Sequence, residues 1–231
     1  MPKKTINTEK LPVISISGRK GYGKDFWSDY IVKTYKNAKK IAFATPLREE
    51  VDTILRLLYE GKTYKEIAEI LKASEEEING FVTILEQGPE RWPELNSYSR
   101  THVTLKLLQY WGNNVRRNHY GKNYWVDKVM NFIKEENKKG FTYVISDARY
   151  PNEVDAVHEA NGLTITIYIS DEEQARRLKS RDDFVPDITQ LSHISETILD
   201  GYSKFHLTLL TELYSDEMTQ ELIEEKIDLW K

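Results

Sequence analysis

A chain of 231 residues with 33 Lys and Arg against 37 Asp and Glu, for a formal net charge of -4, has no global field that would draw it to DNA or to an anionic membrane, so any anionic ligand must be held locally. A hydrophobic share of 39% and a charged share of 30%, with 11 Gly and 7 Pro, exclude a disordered or fibrous chain and suit one α/β core with a helical insertion better than two independent domains. Cysteine is absent, which removes disulfides, thiolate zinc sites and a cysteine nucleophile together. Residues 1–10 are polar and no run approaches the ~20 apolar residues of a membrane span, so the expectation is a soluble, cytoplasmic protein without membrane contact.

Residues 12–17, Pro-Val-Ile-Ser-Ile-Ser, alternate and are β-branched, which predicts a buried strand that stops at Gly18. From Lys24 to about Tyr35, Phe26, Trp27, Tyr30 and Ile31 recur at helical spacing, and Lys39 to Ala44 reads as a second strand. Leu47, Val51, Ile54, Leu55 and Leu58 fall on one helical face, and Ser74 with Glu77 makes a capping box ahead of Ile78, Phe81, Val82 and Leu85. Residues 47 to about 120 are therefore expected to form a mostly helical insertion, with an exposed connection from Gly88 to Asn96.

Tyr124 to Lys139 predicts an amphipathic helix, with Trp125, Val129, Phe132 and Ile133 inward and Gly140 as its stop. Phe141 to Ser146 reads as a strand running into Asp147, Pro151 to Ala160 as a helix, Leu163 to Ile169 as a fourth strand, Phe205 to Leu210 as a fifth, and Asp216 to Trp230 as a closing helix. Ser170 and Glu173 form a second capping box, opening the helix that carries Arg176 and Arg177. Strands alternating with helices at this spacing imply a parallel sheet covered on both faces.

Gly18-Arg19-Lys20-Gly21-Tyr22-Gly23-Lys24-Asp25 matches G-x-x-x-x-G-K between a predicted strand and a predicted helix, the context the pattern requires. Glycines let main-chain N–H groups turn inward around phosphate oxygens, the helix N-terminus adds partial positive charge, and Lys24 supplies a point charge for the β- and γ-phosphates. The plain alternative is an ordinary strand-to-helix turn. Asp25 stands where Ser or Thr commonly contacts Mg²⁺; a carboxylate there can hold the ion directly or through water. The Gly-Lys-Asp ending looks like that of phage-type deoxynucleoside monophosphate kinases and of animal-type phosphomevalonate kinases.

Four further segments occur in the order of the first of these families: residues 43–49 (Phe-Ala-Thr-Pro-Leu-Arg-Glu), residues 108–112 (Leu-Gln-Tyr-Trp-Gly) running to Tyr124-Trp125-Val126, Asp147-Ala148-Arg149 with Asn152-Glu153, and residues 192–196 (Ser-His-Ile-Ser-Glu). Outside roughly residues 57–100 the chain thus resembles the deoxynucleoside monophosphate kinases. The resemblance implies a single P-loop NTPase domain over residues 1–231, three-layer α/β/α with a five-stranded parallel sheet, a helical acceptor-binding insertion at about 47–120 and a lid at about 171–195. It implies ATP and Mg²⁺ as cofactors, a deoxynucleoside monophosphate as acceptor, and a host-cytoplasmic setting if the source is a phage.

Carried onto this sequence, the resemblance makes Arg48, Gln109, Trp111, Gly112, Arg116, Arg117 and Trp125 acceptor-lining residues. An amide can bond a base edge, an aromatic ring can stack on it, and a guanidinium fork matches phosphate oxygens; equally, Trp111 and Trp125 have core spacing and paired arginines often form a solvated face. Asp147, at the end of an apolar strand, suits a carboxylate that orients Mg²⁺, with Arg149 pointing into the same crevice and Glu153 close behind. One of Arg176, Arg177 and Arg181 is expected to clamp the transferring phosphoryl from the lid, and His193 and Glu196 are in position to bond each other and fix the lid or acceptor pocket.

Two rivals remain. Phosphomevalonate kinase shares the loop but needs no aromatic platform for a base. Residues 63–78 look like a helix-turn-helix, yet the would-be recognition helix opens with Glu75, Glu76 and Glu77, which would face phosphates, so no nucleic-acid partner is expected. The bases accepted, ribose discrimination and homodimer formation stay open.

Overall fold

A computed structural model describes residues 4–88, 95–98, 101–181 and 194–230, with the side chains of Arg181, Ile194 and Ser195 outside the description. The chain divides into two compact units, Met1–Phe43 with Val129–Lys231, and Ala44–Lys128.

The first unit is α/β. Strands β1 (Val13–Ser17), β2 (Ala38–Ile41), β3 (Thr142–Ala148), β4 (Leu163–Tyr168) and β5 (Leu207–Leu210) form one sheet in the order β2-β3-β1-β4-β5, and every neighbouring pair is parallel. All five residues of β1 are buried, as expected of a central parallel strand with both faces covered. Ile14, Ile16, Ile165 and Ile167 pack with Trp27 and Ile31 of helix α1 (Lys24–Thr34) and with Ile223 and Ile227 of the C-terminal helix Asp216–Asp228. Phe132, read as inward-facing, is 45% exposed instead, and Phe26, on the helical spacing of α1, is 51% exposed; their rings lie at right angles or nearly so to Tyr143 and Trp27.

The β1–β3 register slips by one residue: Ser15 pairs with Ile145 and Ser17 with Ala148. The extra residue is a bulge in β3 at Ser146-Asp147, and a bulge re-aims the side chains beside it. The second strand ends at Ile41, not Ala44, because Thr45 already begins a helix with Pro46 in its first turn.

The second unit is helical: α2 (Thr45–Tyr59), α3 (Tyr64–Leu71), α4 (Glu75–Glu86), α5 (His102–Gln109), a π-helix over Tyr110–Arg117, the short α6 (Asn118–Tyr120) and the start of α7 (Tyr124–Asn137). The Ser74–Glu77 capping box is present, and Thr63 with Glu66 forms a second. Ile54, Ile67, Ile78, Phe81, Leu107 and Trp111 make the core of this unit, each essentially without exposure. Gly80 is required there by close approach: a β-carbon on it would lie 2.8 Å from Tyr110 Cζ and overlap the hydroxyl. The connection around 89–94 lies outside the described residues, and among those described no helix is long and apolar enough to cross a membrane.

Candidate phosphate-binding site

The glycine loop joins β1 to α1, and each of its glycines has a backbone that side chains disfavour: φ is 142° at Gly18, 86° at Gly21 and 95° at Gly23. A β-carbon at Gly18 would stand 3.0 Å from the Ile167 carbonyl oxygen, and one at Gly21 3.1 Å from the Leu178 side chain. Gly23 is the N-cap of α1 and has no side chain to close the first N–H groups of the helix. Lys24 is buried, and its Nζ donates to the carbonyl oxygens of Gly18 at 2.5 Å and Arg19 at 2.9 Å. Burial first, and the nearby Arg149 guanidinium second, bring its pKa down to about 8.

The loop is held from two directions. Gln174 donates to the Lys20 carbonyl at 2.7 Å and Arg177 Nη1 to the Tyr22 carbonyl at 3.4 Å, both from helix α9 (Asp171–Arg181). Beyond the short helix Ile194–Thr197, Asp200 accepts from Arg19, whose guanidinium also lies 3.7 Å from Asp171. The Lys20 N–H donates to Glu196 Oε2 at 2.7 Å, and Arg149 donates to Glu196 Oε1. Asp25 pairs at 2.8 Å with Lys40, which also holds Asp29 at 3.0 Å.

At the end of β3, Asp147 Oδ1 accepts the Phe43 N–H at 2.6 Å. The N–H groups of Arg149 and Tyr150 donate to Glu153 Oε2 at 2.7 and 3.1 Å, so Glu153, 5% exposed, caps helix α8 (Pro151–Glu159) and fixes the main chain at Arg149. Gly18, Arg149, Thr166, Tyr168, Glu196 and Asp200 border a crevice at the carboxyl ends of the strands, where parallel α/β sheets bind ligands.

The arginines of α9 differ. Arg176 is largely exposed and spends two bonds, 2.6 and 2.7 Å, on Glu173; Arg177 shares Glu173 through Nε at 2.6 Å and turns its other end to the loop. These hydrogen bonds hold the Glu173 carboxyl near 2. Only half of the expected Ser170–Glu173 box forms, since the Glu173 N–H reaches Ser170 Oγ at 3.1 Å while the Ser170 N–H goes to Glu212 at 2.7 Å. Two guanidinium groups outcompete a neutral amide for the Glu173 carboxylate. The Arg181 side chain and His193 lie outside the described residues.

The residues read as acceptor-lining lie in the helical unit, several of them inside it. Trp111 is fully buried, its ring edge-on to Phe81 and its Nε1–H on Glu50 at 2.8 Å. Arg116, 3% exposed, donates to Glu50 at 2.6 Å and to the Leu71 and Lys72 carbonyls at 2.6 and 3.3 Å. Trp125, also 3% exposed, donates to the Gly112 carbonyl at 3.2 Å, and Gly112 packs against Leu47. Rings buried to this degree have no face for a base. Arg48 donates to the Ser97 carbonyl and lies 4.7 Å over the Tyr98 ring; Gln109 is exposed, and Arg117, partly exposed, donates to Asn113 at 2.6 Å.

Glu50 is the hub that sequence reading missed. Besides Trp111 and Arg116 it accepts from Lys128 at 2.5 Å and Tyr124 at 3.4 Å. Burial pushes its carboxyl up, but the bonds from Lys128, Trp111 and Arg116 outweigh this and hold it below the usual range. The signal was its place three residues after Leu47 and four before Ile54, on the apolar face. The π-helix supplies the rest, bringing Trp111 and Arg116, five apart, onto one carboxylate.

Among the described residues no group of three or more His, Cys, Asp or Glu is placed to hold a metal. The donor set fits Mg²⁺ that brings phosphate and water ligands and takes one or two carboxylates; it does not fit an all-protein metal site. No protein-family model matches this chain, and no curated protein matches it in sequence.

Proposed function

We propose that this chain is an ATP-dependent P-loop kinase, a three-layer α/β/α domain with a helical acceptor-binding insertion and a lid, which transfers the γ-phosphoryl of ATP to a deoxynucleoside monophosphate to give the diphosphate. The observation that carries the reading is the loop, three glycines at positive φ between a buried strand and an uncapped helix N-terminus, with Lys24 desolvated inside it. A lysine held near pKa 8 by burial is costly for folding alone and is typical of a functional site.

In this reading the loop amides and Lys24 hold the β- and γ-phosphates, and Asp25 and Asp147 hold Mg²⁺ directly or through water. For that Asp25 exchanges its exposed contact with Lys40, a pair of small worth. Bound Mg²⁺ supplies neutralisation of charge on the phosphate oxygens. Arg149 and Arg177 stabilise charge on the transferring group, and the acceptor phosphate, already anionic, needs no strong general base.

A phosphomevalonate-type acceptor is the second reading, favoured by the burial of Trp111 and Trp125, which takes away the aromatic platform expected for a base. The nucleotide stays first because the ordered segments resemble that family. A nucleic-acid partner is disfavoured, since Glu75 and Glu76 are exposed at the start of α4. Calorimetry with ATP and magnesium tests the loop, and a coupled ADP-release screen over the four deoxynucleoside monophosphates, the ribonucleotides and phosphomevalonate tests the acceptor. No uptake of ATP or ADP by folded protein refutes the proposal.

A further inference from the structure

The carboxylate of Glu196 occupies a main-chain donor of the glycine loop and the arginine beside it. It takes the Lys20 N–H at 2.7 Å and the Arg149 guanidinium, its side chain is only 9% exposed, and its charge favours the protonated form of Lys24. A main-chain N–H in a glycine turn, a guanidinium and an ammonium are the groups a phosphate recruits. Here a carboxylate from a different part of the chain has two of them and faces the third.

The segment carrying Glu196 is tethered at a second point, because Asp200 pairs with Arg19 of the same loop. With both acidic residues seated, the crevice bordered by Arg149, Glu196 and Asp200 is small, about 20 Å³. A phosphate that recruits the Lys20 amide and Arg149 meets the Glu196 carboxylate already there, and two anions do not share one donor set without repulsion.

We infer that Glu196 is a built-in competitor for phosphate, which holds the Lys20 amide and Arg149 and must withdraw for a polyphosphate to bind, handing Arg149 to the ligand. The inference rests on the reading of the loop as a phosphate site. If the seated form makes up about nine-tenths of the population, apparent affinity falls about tenfold below the intrinsic value.

The test is titration calorimetry on the full chain with two probes in turn, ATP and inorganic tripolyphosphate, on wild type, Glu196→Gln and Glu196→Asp. Gln keeps the shape without the charge; Asp keeps the charge but is too short to reach both donors, and it carries the test if the Gln variant does not fold. Both variants should bind both probes more tightly, by about tenfold. Exchange of the Lys20 amide hydrogen should speed up in the variants and slow again on adding tripolyphosphate, which a merely structural glutamate would not produce. Unchanged or weaker binding in both variants, with wild type taking up ATP, overturns the competitor and leaves the kinase reading standing. Tighter tripolyphosphate binding with no uptake of ATP by any variant upholds the competitor and refutes the nucleotide reading; no uptake of either probe by any of the three refutes both.

Discussion

Arg177 donates to the main-chain oxygen of Tyr22, inside the glycine loop, while its neighbour Arg176 is largely exposed and donates both its bonds to Glu173. One helical step, about 100° of rotation, separates an arginine that reaches the loop from one that does not.

Arg177→Ala is therefore expected to lower turnover by about 10²-fold, the scale of a lost electrostatic donor, and Arg176→Ala to leave it within about twofold. The ADP-release assay with saturating acceptor measures both, and equal losses in the two variants would remove Arg177 from the site.

Lys24→Met removes the charge that faces the phosphates and should reduce turnover by ~10²-fold or more. A near-normal rate would contradict the assignment. The same lysine predicts a pH dependence. Its folded pKa, about 8, is below the 10.5 of a free lysine, so below pH 8 it is charged both folded and unfolded and its burial cost is fully present. Between 8 and 10.5 the folded protein releases the proton first, which relieves that cost and raises this group's contribution to stability. Phosphate binding needs the charged form, so ATP affinity should fall roughly tenfold per pH unit above 8, with uptake of a proton on binding. Calorimetry at pH 7 and pH 9.5 in two buffers of different ionisation enthalpy checks this, and Lys24→Met should abolish the dependence.

Gly80→Ala improves intrinsic helix propensity by about 1 kcal/mol, yet the added methyl meets the Tyr110 ring, which is fixed by its bond to the Glu77 carbonyl at 3.2 Å. Overpacking of about 1–3 kcal/mol should win. Urea unfolding should show a lower midpoint, and the Gly80→Ala/Tyr110→Phe double variant should recover part of the loss.

His206 accepts the Thr164 N–H at 3.1 Å through Nδ1, with the His158 ring 4.5 Å away. Burial, His158 and Lys226 lower its pKa from 6.5. Above pH 6.5 it is neutral in both states; as the pH falls below that, the unfolded chain binds the proton first, so stability declines. Thermal melts between pH 7.5 and 5 should show this slope, and His206→Asn, whose amide oxygen can take over the acceptor position, should flatten it.

The sheet and its central loop were legible in the sequence because each rests on a local pattern. Residues 13–17 are uninterrupted β-branched and small residues, Gly18 follows at once, and Pro151 and Ser74 open their helices where expected, whereas α7 stops at Asn137, ahead of the expected Lys139 and Gly140. Strand order, the bulge at Asp147 and the partners of the charged residues were not legible, since they depend on contacts between distant segments. Arg116 and Trp111 read equally well as ligand groups or as core; what decides is the Glu50 carboxylate, 61 residues from Trp111 in the chain. Glu196 meets the loop at Lys20, 176 residues earlier, and no periodicity announces such a contact.

The division of the chain bears on how it emerges from a ribosome. The helical unit Ala44–Lys128 is one unbroken stretch, complete as soon as its own residues have been synthesised. The sheet has no such option: Val13 must wait for Tyr143, and β4 cannot dock on β1 until Leu163 has been made. During that interval the apolar strand around Ile14 and Ile16 has no neighbour to pair with, which makes the nascent N-terminal segment the part of this molecule most in need of a chaperone.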